Sequence, residues 1–172
     1  DLGSITYSSS DLAVGSNWQA ADADEDNFTS IAFNTAGTKI FLTGNDGDKV
    51  YECGLSTAFD VSTCDSHDRD DDLSITDEEK TPTGIAFNDD GKKMFVVGSV
   101  GDEVNEYFLT TAFDVSTASA VATFDLSGVE SHAQGIAFNS DGTLMFIIGS
   151  NGDDVNVYSL ASAYVVSTAT LA

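Results

Sequence analysis

Three near-copies of one unit fill most of this chain, and that repetition narrows its possible folds more than any other feature. Residues 28–65 read FTSIAFNTAGTKIFLTGNDGDKVYECGLSTAFDVSTCD, 82–119 read PTGIAFNDDGKKMFVVGSVGDEVNEYFLTTAFDVSTAS, and 133–170 read AQGIAFNSDGTLMFIIGSNGDDVNVYSLASAYVVSTAT. Ile31, Ile85 and Ile136 are equivalent, so the spacings are 54 and 51 residues, and no gap is needed inside the unit. The second and third copies agree at 22 of 38 positions. A chain of this kind stacks equivalent supersecondary units, each of which buries its apolar face against a neighbour.

Each unit reads as four strands. Ile31–Asn34 and its copies give strand A, in β-forming residues. A turn follows, with Gly37 in the first copy and Asp90-Gly91 and Asp141-Gly142 in the others. Asp-Gly is a hairpin signal because glycine reaches positive φ without steric cost. Strand B, at Lys39–Thr43, Lys93–Val97 and Leu144–Ile148, is nearly continuously apolar, as expected of a strand covered on both faces. A second glycine turn precedes strand C at Val50–Leu55, Val104–Leu109 and Val155–Leu160. A Ser/Thr-rich connection then leads to strand D, at Ala120–Leu126 in the second copy. No stretch longer than a turn shows a 3.6-residue apolar period. Four antiparallel strands per fifty residues is the pattern of a β-propeller blade. The predicted fold is all-β: one propeller domain over 1–172, with blades at 28–81, 82–132 and 133–172, the last incomplete. Segment 1–27 is free to supply the outer strand of a third blade.

Propellers have four to eight blades, and sheets pack face to face about 10 Å apart. Three blades cannot fill a ring, so the expectation is a homodimer completing six blades, twofold assembly being the commonest kind. The alternative is a piece of a longer ring, and the chain begins at Asp1 without a methionine.

The string GIAFNxDGxxMFxxGSxGDxVNxYxL, at Gly84–Leu109 and Gly135–Leu160, resembles propeller repeats of the NHL and YVTN type. More closely, it is similar to the GIAFN–DG–GD–STAFDVSTAS repeats of marine bacterial and phage-associated proteins. That resemblance spans residues 28–170 and implies an extracellular or virion-surface binding module more often than an enzyme.

Six Lys+Arg stand against 29 Asp+Glu, a formal net charge of −23. Such a balance argues against nucleic acid and anionic membrane surfaces as partners. It permits a cation or a basic partner. No apolar run approaches the ~20 residues of a membrane span. On the propeller reading, the B–C turns bring Asp48, Asp102 and Asp153, with Asp46 and Asp154 nearby, to the same face as the D–A loops, which hold Asp22, Asp24, Glu25 and Asp26 in the first copy, Asp77, Glu78 and Glu79 in the second, and Glu130 and His132 in the third. A cationic ligand or Ca²⁺ is the functional reading of that face. The plainer one is Asx-type turn bonding by the aspartates. Asp22, Asp24 and Asp26 alternate like the first ligands of a calcium loop, but the glycine and distal glutamate of an EF-hand are missing. Trp18 has no counterpart in the other units and could stack on a sugar. The segment His67-Asp68-Arg69-Asp70-Asp71-Asp72 falls where the outer strand of blade 1 is expected; a metal patch or docking strip is its functional reading, and charge that discourages sheet-to-sheet pairing is the plainer one. Asn34, Asn88 and Asn139 recur at the end of strand A, which favours a structural role.

Cys53 and Cys64 stand where the other copies have Tyr107/Tyr158 and Ala118/Ala169. Two cysteines confined to one unit point to a disulfide, and so to an oxidising compartment; two buried thiols are the alternative. No GxSxG, HExxH, CxxC or phosphate-loop pattern occurs, and the reading is non-catalytic. A calcium-dependent lactonase- or lyase-like propeller and a purely structural ring remain the competing functions.

Overall fold

In the computed structural model the described residues are Glu25, 27–64, 72–152 and 154–172. Trp18, Asp22, Asp24, Asp26 and Asp153 lie outside them, as does most of the acidic strip at 67–72.

The apolar runs and glycine turns of the repeat fold into three four-stranded antiparallel sheets. Blade 1 comprises β1 (Phe28–Phe33), β2 (Lys39–Gly44), β3 (Lys49–Gly54) and β4 (Leu73–Ser74). Blade 2 comprises β5 (Pro82–Phe87), β6 (Lys93–Gly98), β7 (Glu103–Leu109) and β8 (Ala118–Asp125). Blade 3 comprises β9 (Ala133–Phe138), β10 (Leu144–Gly149), β11 (Val155–Leu160) and β12 (Ala169–Leu171). Each sheet is a simple meander, with strands hydrogen-bonded in chain order. Blade 3, expected from the repeat to be incomplete, carries a short fourth strand, β12. Tyr158 pairs with Leu171 and Leu160 with Ala169, so these positions of β11 need no strand from segment 1–27.

The first strands β1, β5 and β9 stand next to one another. In each, the pairing register slips between the first and third residues, around Thr29, Thr83 and Gln134. The slip frees Thr29 Oγ1 to donate to the Pro82 carbonyl at 2.5 Å, and Thr83 Oγ1 to the Ala133 carbonyl at 2.5 Å. These bonds tie each blade to the next along the inner edge.

The core lies between blades. One cluster joins Phe41, Val50 and Ile75 of blade 1 to Met94, Val96, Tyr107 and Val115 of blade 2. The other joins Phe95, Val97 and Val104 of blade 2 to Met145, Ile147, Tyr158 and Val166 of blade 3. Strand β6 therefore has both faces covered, and Met94–Gly98 is buried throughout. Strand β10 has almost the same sequence, but Met145 and Ile147 are buried while Ile148 is exposed. One covered face, rather than two, explains the difference.

Candidate functional site

The loops between blades meet the turns between the second and third strands through one side chain per blade. Glu25, Glu79 and Glu130 repeat with the 54- and 51-residue spacing of the unit, and each is at most 2% exposed. One carboxylate oxygen accepts from the backbone two residues on: Asn27 N–H at 2.7 Å, Thr81 at 2.8 Å and His132 at 2.8 Å. The carboxylate also accepts from the turn ahead: Gly47 N–H at 3.1 Å, Gly101 at 3.0 Å and Asn151 at 3.3 Å. Buried carboxylates holding two or more N–H groups are charge-assisted staples. The glutamates need a gap in the neighbouring strand. A Cβ on Gly44, Gly98 or Gly149 would overlap the carboxyl group of Glu25, Glu79 or Glu130.

The turn aspartates serve the backbone. Asp48 and Asp102 adopt φ of 49° and 53°, a region that Asp tolerates better than most residues. Their carbonyls accept from Ile75 N–H at 2.9 Å and Leu126 N–H at 2.7 Å. Thus backbone conformation, not an Asx-type side-chain bond, is their visible role. His132 is exposed, and its Nδ1 lies 3.2 Å from Ser131 Oγ. Asn34, Asn88 and Asn139 cap the first hairpin, accepting from Lys39, Lys93 and Leu144 N–H at 3.1, 2.9 and 2.8 Å. Among the described residues, no group of three or more His, Cys, Asp or Glu gathers as a metal would require.

Beneath the staples lie unpartnered polar atoms. Tyr107 and Tyr158 hydroxyls and both amide atoms of Asn105 are buried with no hydrogen-bond partner. Burial pushes the Tyr107 hydroxyl well above its usual range, and Glu78, Glu79 and Glu103 add to the shift. Tyr158 moves the same way, by burial and then by Glu130 and Asp154.

A second device joins blade to blade. Glu52 on β3 pairs with Lys39 and accepts from Val115 N–H of blade 2 at 2.9 Å. Lys39 Nζ donates to the Phe113 carbonyl at 2.8 Å. Blade 2 repeats this on blade 3: Lys93 and Glu106 are 2.6 Å apart, Glu106 accepts from Val166 N–H at 2.9 Å, and Lys93 donates to the Tyr164 carbonyl. Each clasp grips the connector between the third and fourth strands of the following blade. Burial pushes the Glu52 carboxyl up, opposed by Lys39 and the Val115 N–H.

The connectors share a further device. Phe59, Phe113 and Tyr164 take positive φ, and each donates its N–H to the carbonyl of a hairpin glycine, Gly37, Gly91 or Gly142. The aromatic ring then covers that glycine, where a Cβ would strike it. The turn glycines therefore supply both positive φ and room for a ring. Within blade 1, Cys53 and Cys64 form a disulfide with Cα atoms 5.9 Å apart.

Sequence alone hides the staples, because Glu25 and Glu79 stand in acidic runs and Glu130 lies just outside the repeated unit. The signal was present: the repeat spacing extends back to them. The clasps had a weaker signal, a Lys–Glu pair in two copies replaced by Leu144 and Val157 in the third.

Comparison with solved structures identifies the three sheets as β-propeller blades. The chain is similar to a 6-phosphogluconolactonase candidate from Bacteroides uniformis ATCC 8492, with a TM-score of 0.61 at 14% identity. That match covers 84% of this chain and 39% of the other. A functionally unknown protein from Desulfotomaculum acetoxidans DSM 771 gives 0.61 at 13% identity, covering 85% and 41%. Sqt1 of Chaetomium thermophilum, bound to the N-terminus of ribosomal protein L10, gives 0.53 at 16%, covering 78% and 32%. At such identities the likeness is one of fold, and the chain spans about two fifths of the first two chains' length. No protein-family model matches the sequence. No curated protein matches it either.

Proposed function

We propose that this chain is a non-catalytic propeller module, displayed outside the cell or on a virion, that presents an acidic loop face to a cationic or glycan-bearing partner. The observation that carries this reading is the use made of the recurring polar side chains. Glu25, Glu79, Glu130, Asn34, Asn88 and Asn139 repeat blade by blade and hold backbone N–H groups of their own loops. Repetition of that kind builds a frame, and a net charge of −23 is left to act on the surroundings. The Cys53–Cys64 disulfide supports an oxidising location. Calcium remains a candidate ligand through Asp22, Asp24 and Asp26. A purely structural, ring-forming role is the same frame without a ligand.

The second reading is a lactonase-like enzyme, favoured by the likeness to the 6-phosphogluconolactonase candidate. The deciding experiment follows 6-phosphogluconolactone hydrolysis by the purified chain, with and without calcium. The module reading expects the spontaneous rate in both. A rate that rises in proportion to added protein would replace it with the enzyme.

A further inference from the structure

The three blades are an internal control, because each position of the repeat occurs with and without a neighbouring blade. Val50 and Val104, on the faces toward the next blade, are fully buried, while the equivalent Val155 of blade 3 is 58% exposed. Thr43 and Val97 are likewise buried, while Ile148 is 49% exposed. The opposite face opens in part at the other end, where Ile40, Cys53 and Leu55 stay buried among themselves but other positions do not. Ile85 is 6% exposed, whereas Ile31 of blade 1 is 55% exposed. Val115 and Val166 are fully buried, but Val61 is only half-buried and Phe59 beside it is 60% exposed.

The aromatic residues make the missing contact specific. At the first joint, Phe41 of blade 1 meets Phe87 and Phe113 of blade 2, with centroids 4.5 and 6.3 Å away. At the second, Phe95 meets Phe138 and Tyr164 at 4.5 and 6.3 Å. Each joint is thus one ring from the leading blade set against two from the following blade. The ends of the arc hold those same parts, separated. Phe146 of blade 3 is the single ring, and it lines an apolar depression with Gly135, Ile136, Ala137 and Ile148. Phe33 and Phe59 of blade 1 are the pair, 5.4 Å apart.

The polar parts match as well. Blade 3 has Leu144 and Val157 where blades 1 and 2 carry the Lys–Glu clasp, so it offers no grip for a connector. The blade 1 connector needs none: it is closed by its own disulfide, and Asp60 accepts from Ser62 N–H at 3.1 Å. In blade 2 the matching Asp114 makes no such cap. The blade without a clasp stands at one end of the chain's three blades, and the connector that carries its own pin stands at the other.

We propose that the open face of blade 3 docks the open face of blade 1 of a second copy of this chain, so that two copies meet end to end at two equivalent joints. This inference concerns assembly and stands apart from what the acidic face takes. Continuity with the two joints inside the chain argues for it, since the same ring positions and aliphatic positions would be covered.

Light scattering after size exclusion tests it on the full chain. The wild type is expected at twice the 18.0 kDa of one chain at micromolar concentration. Phe146→Lys and Phe59→Asp each break both joints, and association should weaken by at least about tenfold. Both variants should keep the wild-type circular dichroism; Val155→Lys, at a 58% exposed position, is the reserve if either misfolds. Mixing the two variants leaves one native joint and one Lys–Asp joint, so the mixture should regain the two-chain mass. A monomeric wild type, a ladder of larger species, or a two-chain mass untouched by the variants would overturn the proposal.

Discussion

Tyr107 shows how a single buried atom sets a pH limit. Its ring fills the joint between blades 1 and 2, but its hydroxyl is buried without a partner. Leaving a polar group so costs about 1–3 kcal/mol. Burial raises its folded pKa above the ordinary value of 10.0. The unfolded chain then ionises first as pH rises, so this contribution to stability is full below about pH 10 and is lost as pH climbs through the folded pKa. Tyr107→Phe should therefore stabilise the protein by about 1 kcal/mol at neutral pH, with a gap over wild type that widens above pH 10. Urea unfolding at several pH values measures both. A clear loss of stability in the variant at neutral pH would show that the hydroxyl has a partner. The tyrosine was legible in sequence as a repeated strand residue; its stranded hydroxyl was not, because that depends on its burial between blades 1 and 2.

At the scale of elements, the strands answer to pattern and the connectors to neighbours. Glycine turns and apolar runs placed β1–β3, β5–β8 and β9–β11 close to where the repeat alone puts them. The connectors read only as links, yet they carry the joints, since Lys93 and Glu106 grip the one that follows blade 3's third strand. Glu106→Val leaves the Lys93 ammonium, 23% exposed, beside an unpaired Val166 N–H. Breaking one side of such a pair costs about 3–5 kcal/mol. Lys93→Leu with Glu106→Val copies what blade 3 has at Leu144 and Val157. The double variant should be more stable than Glu106→Val alone, with a coupling of about 1 kcal/mol or more. Strictly additive losses on urea unfolding would mean the two residues act independently.

For the whole molecule, charge is the governing quantity. A net charge of −23 on 172 residues repels itself, and few cations offset it locally. The two ion pairs described, Lys39–Glu52 and Lys93–Glu106, are used inside the joints. Added salt should therefore raise the melting temperature by several degrees between about 10 mM and 0.5 M, where the screening length falls to a few ångströms. Calorimetry over that range is the check. A melting temperature that is flat or falls with salt would mean that self-repulsion does not limit stability.

What the sequence determined by itself is the periodic part: the number of units, four strands in each, the hairpin glycines, and an acidic surface. Those follow from local chemistry, since turn type depends on glycine and strand faces on a two-residue period. Tertiary structure decided everything that one unit does to another. Val104 and Val155 occupy the same position in nearly the same strand, yet one is fully buried and the other 58% exposed. Likewise Glu79 sits in a loop that reads as solvated acid until the turn of the next hairpin brings the Gly101 N–H to it. Burial and hydrogen bonding between blades depend on which neighbour stands beside each face, and no local pattern encodes that.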